Sequence, residues 1–140
     1  MKTLYTAKTT AKGGRNGSVK TDDGILDMDL SVPEGMGGKG GNGTNPEQLF
    51  GGAYAACFGG ALQAIAGDLD LGDFSVTASV SFNAEAANEF VLSVILDAYL
   101  PTLSIEKGEE LVNKAHEICP FSKATRDNID VTLNLLVDEA

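Results

Sequence analysis

One stretch, from Asn45 to Gly67, limits most strongly what this chain can fold into. Its first residues are typical of a helix start: Asn45 can cap the helix, Pro46 fits the first turn, and Glu47 places negative charge at the positive end of the helix dipole. After Glu47 the stretch carries no charge and consists mainly of Gly and Ala. Such a helix is seldom a surface helix, so we predict a buried central helix on which the other elements pack.

Length and charge narrow the class of protein. A chain of 140 residues is long enough for one domain with its own core and too short for two, so residues 1–140 are expected to form a single domain. The formal net charge of -10 argues against a nucleic-acid partner, because neutralising phosphates needs clustered Lys and Arg.

The run Leu49–Gly67 approaches the length of a membrane span. Its glycines, Gln63 and acidic flanks favour a buried helix and no membrane span.

The number and spacing of the cysteines, Cys57 and Cys119, indicate whether the protein works in a reducing or an oxidising compartment. They lie far apart in a chain whose first residues lack the apolar core of a signal peptide. This usage predicts a cytoplasmic protein whose thiols have a redox or structural role, rather than a disulfide scaffold. Together with the single histidine they are too few for a closed zinc site, so no metal is expected.

Most of the remaining elements are predicted to be strands. Alternation and turn residues place them at Thr3–Ala11, Val19–Thr21, Leu26–Val32, Phe74–Phe82, Phe90–Leu100 and Asp130–Val137. The strand Phe90–Leu100 is apolar on nearly both faces, which predicts that helices or a partner subunit cover both sides of it. Residues Gly35–Gly43 include six glycines and predict a mobile loop. The order of elements indicates an α+β domain with antiparallel sheets packed on the central helix.

A second helix is predicted to follow Ser104, which can cap it. Its apolar stripe contains Ile105, Leu111, Val112, Ala115, Ile118 and Cys119. Pro120 is expected to end this helix, because proline removes a backbone donor and crowds the preceding turn.

Small residues recur along the first helix. Gly52, Ala56 and Gly60 are spaced four positions apart and form a smooth ridge against which another helix backbone can pack closely. Packing within the chain and dimerisation through this ridge remain equally open interpretations.

Cys57 is the candidate reactive atom, but its position alone does not activate it. A thiol inside an apolar helix lacks the free N–H groups of a helix start, so its pKa is expected to rise and its reactivity to fall. Activation therefore needs a cation from elsewhere in the chain, and the candidate is Arg15 in the turn GGRNG. Glu47 is the best placed carboxylate to orient that guanidinium. A plain surface position is the common alternative for Arg15.

Glu47 cannot touch Cys57 within one regular helix. The two positions are separated by about 15 Å along the axis and by roughly 80° around it. The carboxylate could act through Arg15, through a bend near Gly51 and Gly52, or from a partner subunit, and the sequence does not choose among these.

Cys119 lies at the end of the second helix on its apolar side. Spacing alone leaves two interpretations equally open: a buried structural thiol, or a resolving partner that traps an oxidised Cys57 as a disulfide. His116 is one position off the apolar stripe and is interpreted as a helix-surface or partly packed residue.

Three separated motifs indicate a family. The segments GGRNG, NPEQLFGGAYAACF and KAHEICPFSKATRDNIDV, in this order, closely resemble the organic hydroperoxide resistance (Ohr) proteins of the OsmC superfamily. The resemblance covers essentially the whole chain. It implies an OsmC-like fold in an intertwined homodimer with two active sites at the subunit interface. It also implies a thiol peroxidase that reduces organic hydroperoxides to alcohols without a cofactor and is recycled by a lipoylated protein or another dithiol.

The resemblance also implies roles for individual residues. Cys57 matches the peroxidatic cysteine, Cys119 the resolving cysteine, Arg15 the activating arginine and Glu47 the carboxylate that holds it. Cys57 would become a sulfenic acid and then form a disulfide with Cys119. Three apolar side chains are expected near the thiol, where they would favour apolar hydroperoxides over hydrogen peroxide: Phe50, Phe58 and Phe121.

The chain departs from the family pattern at three places. Family members usually have Tyr at Phe121, Gly at Asp127 and a glycine-rich turn where this chain has Asn83–Glu89. These differences concern loop geometry and substrate preference. The alternative function is an OsmC-type stress or redox-sensing protein of the same fold with a different substrate preference.

Overall fold

The structure is a computed structural model that describes residues 1–139. The chain forms two compact units, one of residues Met1–Leu49 and one from Phe50 onward, and each contains a three-stranded sheet. In chain order the elements are β1 (Thr9–Lys12), β2 (Ser18–Thr21), β3 (Asp27–Asp29), α1 (Pro46–Ala66), β4 (Ser75–Ala86), β5 (Glu89–Tyr99), α2 (Ile105–Ile118), α3 (Pro120–Thr125) and β6 (Val131–Leu136).

The sheet of the first unit is antiparallel in the order β1-β2-β3. The strands predicted at Val19–Thr21 and Leu26–Val32 pair as an antiparallel hairpin, with a turn in which Gly24 has a φ of 74°. The first strand is shorter than predicted and begins at Thr9, because pairing with β2 ends where Thr9 meets Thr21. The glycine-rich segment contains a 3-10 turn at Glu34–Met36 and hydrogen bonds back to the chain, for example from Gly40 N to Val32 O at 2.9 Å.

Helix α1 is continuous through Gly51 and Gly52, and the Oδ1 of Asn45 caps it by accepting from Gln48 N at 2.8 Å. One face is buried in the core of the second unit through Tyr54, Phe58, Ala61, Leu62 and Ala66. A fully buried Phe or Leu side chain contributes about 1.5–3 kcal/mol to the stability of a fold.

The opposite face of α1 is exposed within the described chain, so the helix is buried on one side only. Gly52, Ala56 and Gly60 all lie on this exposed face. A Cβ added at Gly52 or Gly60 would meet nothing within 4 Å. The ridge of small residues is therefore not used for packing within the described chain. In length and composition α1 is the one described helix that could cross a membrane, a test that core helices of soluble proteins also pass.

The sheet of the second unit is mixed, in the order β4-β5-β6. The β4–β5 pair is antiparallel as predicted, whereas β6 runs parallel to β5. The expectation of purely antiparallel sheets is corrected here. The reason is topological: α2 and α3 connect β5 to β6, and a helical crossover returns the chain in the same direction.

Strand β5 is covered on one of its two apolar faces. Val94, Leu96 and Ala98 are buried, while Ile95 on the other face keeps 43% of its surface exposed. The prediction that both faces are covered is therefore met on one side within the described chain.

Helix α2 begins as predicted, because the Ser104 Oγ accepts from Lys107 N at 3.2 Å. Leu111, Val112 and Ala115 are buried, but the two isoleucines at the ends of the predicted stripe are exposed, Ile105 by 59% and Ile118 by 48%. The stripe drifts off the core at both ends because 3.6 residues per turn does not keep six positions on one face of a straight helix.

Helix α3 was not predicted. Pro120 ends α2 but also occupies the first turn of α3, where its missing N–H costs nothing. Cys119 lies between the two helices and is the cap residue of both. The position of this cysteine is therefore set by a helix–helix junction.

Two residues adopt left-handed backbone conformations, Asn88 with a φ of 63° and Asp127 with a φ of 61°. Both lie where the sequence departs from the glycines of the family pattern. Asn and Asp tolerate this region better than most residues because their short polar side chains hydrogen-bond locally.

Candidate active site

Arg15 and Glu47 form a two-pronged ion pair in the first unit. Arg15 Nη1 donates to Glu47 Oε2 at 3.0 Å and Nη2 donates to Oε1 at 2.8 Å. The Arg15 side chain is 35% exposed and that of Glu47 only 12%. Parallel N–H···O bonds of this kind fix the plane of the guanidinium as well as its position. The two residues that sequence reasoning placed together are thus in direct contact.

The turn that carries Arg15 depends on glycine. Residues Gly14–Asn16 form a single 3-10 turn, preceded by Gly13 with a φ of 75°. A Cβ at Gly17 would lie 1.6 Å from the Lys12 carbonyl oxygen, so no other residue fits there without moving the backbone. The GGRNG motif therefore shapes the loop that presents Arg15.

The ion pair keeps both groups charged. Hydrogen bonds from Arg15 lower the pKa of Glu47, and the bond to Glu47 raises the pKa of Arg15. The carboxylate is fixed in the first turn of α1, where negative charge is also favoured by the helix dipole. A permanently charged, oriented guanidinium can stabilise negative charge on sulfur or oxygen without taking part in proton transfer.

Cys57 and Cys119 approach each other in the second unit. The Cys119 Sγ donates to the Cys57 Sγ at 3.8 Å, and both thiols are free. Cys57 is partly buried, whereas Cys119 has no exposed surface. Helix α1 and the α2–α3 junction thus hold the two thiols close together. To form a disulfide, the two sulfur atoms must approach to about 2 Å.

The surroundings of Cys57 disfavour its thiolate. Burial is the main cause that raises the pKa of the Cys57 thiol. The side-chain hydrogen bond with Cys119 raises it further, and the repulsion between two charged sulfurs adds a smaller rise. The backbone N–H of Phe121 acts in the opposite direction by hydrogen bonding to the sulfur. The pKa rise that the sequence predicts for a thiol within an apolar helix is present.

The three predicted substrate-contacting phenylalanines lie in different surroundings. Phe50 and Phe121 are partly exposed, have ring centroids 6.2 Å apart, and both line an open groove of about 450 Å³. The remaining groove lining is mostly apolar and includes Phe90, Val91, Leu92 and Ile129. Phe58, by contrast, has no exposed surface and belongs to the core. Phe58 offers no surface to a substrate in this structure, so its expected contact is replaced by a packing role.

Sequence reasoning did not predict a mostly buried polar cluster on the helices that carry or flank the cysteines. Ser122 Oγ lies 2.8 Å from His116 Nδ1 and 2.9 Å from Tyr54 OH, and Tyr54 OH lies 3.2 Å from Thr125 Oγ1. Ser122 and Tyr54 are completely buried. One signal was available: Tyr54 is the single phenol in a helix that carries no charge after Glu47, and a buried phenol needs a polar partner.

The described residues provide no evident metal site. Within residues 1–139, no three His, Cys, Asp or Glu side chains gather closely enough to hold an ion.

Comparison with known proteins identifies the family. Residues 38–134 match the family of OsmC-like proteins. The chain is 48% identical over 134 residues to the organic hydroperoxide resistance protein OhrB of Bacillus subtilis (strain 168), an alignment that covers 94% of this chain and 98% of the relative.

Solved structures agree with this match. An organic hydroperoxide resistance protein from Legionella pneumophila is 48% identical, with a TM-score of 0.90 over 96% of this chain and 98% of that one. A putative organic hydroperoxide resistance protein from Vibrio cholerae, with captopril bound in one of its active sites, is 44% identical with a TM-score of 0.89, covering 96% of this chain and 94% of that one. The chain therefore belongs to the OsmC-like family, and within it to the organic hydroperoxide resistance (Ohr) proteins.

Proposed function

We propose that this chain is a cysteine-based thiol peroxidase that reduces organic hydroperoxides, both alkyl and fatty-acid, to alcohols. The observation that carries the proposal is the 3.8 Å separation between the partly buried Cys57 sulfur and the fully buried Cys119 sulfur. A hydroperoxide can reach the first thiol but not the second, which suits them to successive roles. The names of the relatives, organic hydroperoxide resistance proteins, support this class of substrate.

The first step is oxidation of Cys57. Its thiolate attacks the distal oxygen of the hydroperoxide, the O–O bond breaks, and the sulfur becomes a sulfenic acid. The departing alkoxide takes up a proton and leaves as the alcohol. Sulfur loses two electrons and the O–O bond gains them, so neither a metal nor a flavin is needed.

Arg15 supplies the positive charge that this step requires. The pKa of Cys57 is raised by burial and by Cys119, so the thiolate needs a cation. Arg15 is held in a fixed plane by Glu47 and stays charged at any working pH. We assign it to stabilise the thiolate and the charge that develops on the peroxide oxygens.

The second step regenerates the enzyme. The Cys119 thiol condenses with the Cys57 sulfenic acid, which releases water and forms the Cys57–Cys119 disulfide. A lipoyl-type dithiol then exchanges with this disulfide, restores both thiols and leaves as its own cyclic disulfide. A thiol that must be reduced again after each turnover suits a reducing compartment, so we place the enzyme in the cytoplasm.

The apolar groove is the proposed basis of a preference for apolar hydroperoxides. Phe50 and Phe121 line it, and Phe90 and Ile129 extend its apolar surface. Phe121 also links it to the thiol, because its backbone N–H bonds to the Cys57 sulfur. An alkyl or acyl chain would bury apolar area there, whereas hydrogen peroxide has none to bury.

The active form is proposed to be a homodimer. The exposed ridge of Gly52, Ala56 and Gly60 and the exposed Ile95 of β5 are the surfaces a second copy would cover. Small residues allow the close backbone approach that helix pairing requires. The measurement is molar mass by light scattering, and a monomer at micromolar concentration would contradict this part of the proposal.

The test of the activity is steady-state hydroperoxide consumption with dihydrolipoamide as reductant. Many turnovers are expected with alkyl and fatty-acid hydroperoxides and much slower turnover with hydrogen peroxide. Cys57→Ser should abolish all oxidation, and Cys119→Ser should permit one oxidation without recycling by the dithiol. Consumption that stops at one hydroperoxide per Cys57 in the unmodified chain would instead favour the redox-sensing alternative.

A further inference from the structure

A chain of hydrogen-bonded polar side chains, mostly buried, joins α1, α2 and α3, the helices that carry or flank the two thiols. His116 belongs to the last turn of α2, Ser122 and Thr125 to α3, and Tyr54 to α1. Tyr54 and Ser122 have no exposed surface and Thr125 only 5%. The peroxidase steps proposed above use none of these four residues. Buried polar groups are costly unless they are fully hydrogen-bonded, so a cluster of this kind invites a functional explanation.

If every observed hydrogen bond is made, the hydrogen atoms of the cluster can point in only one direction. The Thr125 hydroxyl donates to the Ser122 carbonyl oxygen at 3.2 Å, which uses its single proton. Thr125 Oγ1 must therefore accept from Tyr54 OH, and Tyr54 in turn must accept from the Ser122 hydroxyl. Ser122 Oγ has then given away its proton and must accept from His116 Nδ1. This sequence of bonds requires the Nδ1–H form of the His116 ring.

Two residues of this cluster flank the resolving thiol in the sequence. His116 and Ser122 lie on either side of Cys119, so their hydrogen bond closes a short loop over the α2–α3 junction. Tyr54 precedes Cys57 by three positions, which makes the two residues neighbours on the surface of α1. The bond between Tyr54 and Ser122 therefore ties the segment that carries Cys119 to the segment that carries Cys57.

We propose that the chain His116–Ser122–Tyr54–Thr125 is a one-way hydrogen-bond relay that positions the Cys119 thiol for attack on the oxidised Cys57 sulfur. His116 is a positioning residue in this scheme, and it acts as the first donor. The inference rests on the proposed function for the identity of the oxidant. The relay itself acts on disulfide formation, whichever agent oxidises Cys57.

The relay acts on the step that forms the Cys57–Cys119 disulfide. A new S–S bond forms between Cys119 and Cys57, the S–O bond of the Cys57 sulfenic acid breaks, and the Cys119 proton leaves with the hydroxyl as water. Such a displacement is sensitive to alignment, because the attacking sulfur must approach along the axis of the breaking bond. A hydrogen bond that fixes the α2–α3 junction therefore affects this step more than the first oxidation of Cys57.

A chromogenic aryl disulfide, dithiobis(nitrobenzoate), measures this step without any hydroperoxide. Cys57 displaces one thionitrobenzoate in a bimolecular phase and keeps the other as a mixed disulfide. Cys119 then displaces the second in a unimolecular phase and forms the intrachain disulfide. Because no hydroperoxide is used, a failure of the peroxidase proposal leaves this measurement intact, and a failure of the relay leaves the peroxidase assay intact.

Four variants test the relay and its direction. Tyr54→Phe removes one hydroxyl, and we expect it to slow the second phase about tenfold while the first phase is unchanged. His116→Asn keeps an N–H where Nδ1 lies and should behave as the unmodified chain, whereas His116→Asp replaces that donor with an acceptor and should slow the second phase about as much as Tyr54→Phe. Tyr5→Phe removes the hydroxyl of an exposed tyrosine and is the matched control, with both phases unchanged.

The single histidine of the chain allows a direct test of the tautomer. After ¹⁵N labelling of histidine, the ring signals belong to His116 alone, and the relay predicts a proton on Nδ1 near neutral pH. Burial and the nearby Arg126 lower the pKa of His116, which keeps the ring neutral under these conditions. A proton on Nε2 instead would overturn the direction of the relay.

The outcomes separate positioning from general structural support. The relay is supported if Tyr54→Phe and His116→Asp slow only the second phase and His116→Asn keeps the rates of the unmodified chain. Equal slowing of both phases in Tyr54→Phe, or identical rates in His116→Asn and His116→Asp, overturns it. If Tyr54→Phe does not fold, the His116 pair and the ¹⁵N spectrum carry the test.

Discussion

Arg15 Nη2 and Glu47 Oε1 lie 2.8 Å apart, although 32 positions separate the two residues in the sequence. A glycine-shaped turn presents the guanidinium, and the first turn of α1 presents the carboxylate. Their second bond, between Nη1 and Oε2, prevents rotation of the guanidinium. The pair therefore combines a permanent charge with a fixed orientation, and three of the following predictions concern it or its support.

Arg15→Ala is expected to raise the pKa of Cys57 and to slow hydroperoxide reduction. Burial and Cys119 already raise this pKa. In the proposed mechanism Arg15 opposes that rise by stabilising the thiolate, so loss of the cation removes this opposition. We expect a shift of about one unit or more and a rate at neutral pH lower by about tenfold. The thiolate titration is followed by absorbance or by alkylation rate, with the exposed Lys39→Ala as control. An unchanged pKa in Arg15→Ala would contradict the activating role.

Acid is expected to destabilise the chain through Glu47. Hydrogen bonds from Arg15 lower the pKa of this carboxyl in the folded chain below its ordinary value of 4.5. The folded state is therefore favoured while the pH stays above that ordinary value, and this contribution is lost as the pH falls through the lower folded-state pKa. Urea unfolding measured from pH 6 downward should show a decline that Glu47→Gln flattens. Glu89→Gln, at an exposed carboxylate, should keep the decline.

Gly17→Ala is expected to destabilise the turn that carries Arg15. The new Cβ would lie 1.6 Å from the Lys12 carbonyl oxygen, so the backbone must move. We expect a loss of about 2 kcal/mol or more in the free energy of unfolding, together with lower activity. Gly35→Ala is the control, because a Cβ there meets nothing within 4 Å. Equal stability of the two variants in thermal unfolding would show that the turn tolerates the side chain.

Phe121→Ala is expected to weaken the preference for long hydroperoxides. Phe121 lines the groove together with Phe50, and an acyl chain would lose apolar contact with the missing ring. The KM for a fatty-acid hydroperoxide should rise by about tenfold, and that for tert-butyl hydroperoxide by much less. Leu69→Ala, at an exposed leucine, provides the control. A parallel change for both substrates would exclude the groove as the source of selectivity.

Phe58→Ala is expected to affect stability and not substrate preference. The ring has no exposed surface and lies in the main core, so its removal leaves a cavity. The cost should be about 3–5 kcal/mol in the free energy of unfolding, measured with urea. The ratio of rates on fatty-acid and tert-butyl hydroperoxides should stay that of the unmodified chain. A changed ratio of the two rates would contradict this prediction and indicate that Phe58 contacts the substrate.

Local pattern was sufficient for much of the fold. Alternation in Phe74–Phe82 identified β4, and Ser104 marked the start of α2, because these signals depend on near neighbours in the chain. The parallel pairing of β6 with β5 and the short helix α3 were not recognised. Strand direction is decided by the path of the connection, and Pro120 is compatible with both the end of one helix and the start of the next.

The sequence by itself identified the candidate reactive groups of this protein: Cys57 in a helix without charge after Glu47, Arg15 in a glycine-flanked turn, Glu47 at the start of that helix, and Cys119 before a proline. In the tertiary structure the expected pair Glu47 and Arg15 is in contact. Only the tertiary structure decided that the Cys119 sulfur lies 3.8 Å from that of Cys57 and that Phe58 lies in the core. It also revealed the contact of Tyr54 with Ser122, 68 positions away. The physical reason is that hydrogen bonds and burial act over a few ångströms of space, and the chain brings distant positions to that range only by folding.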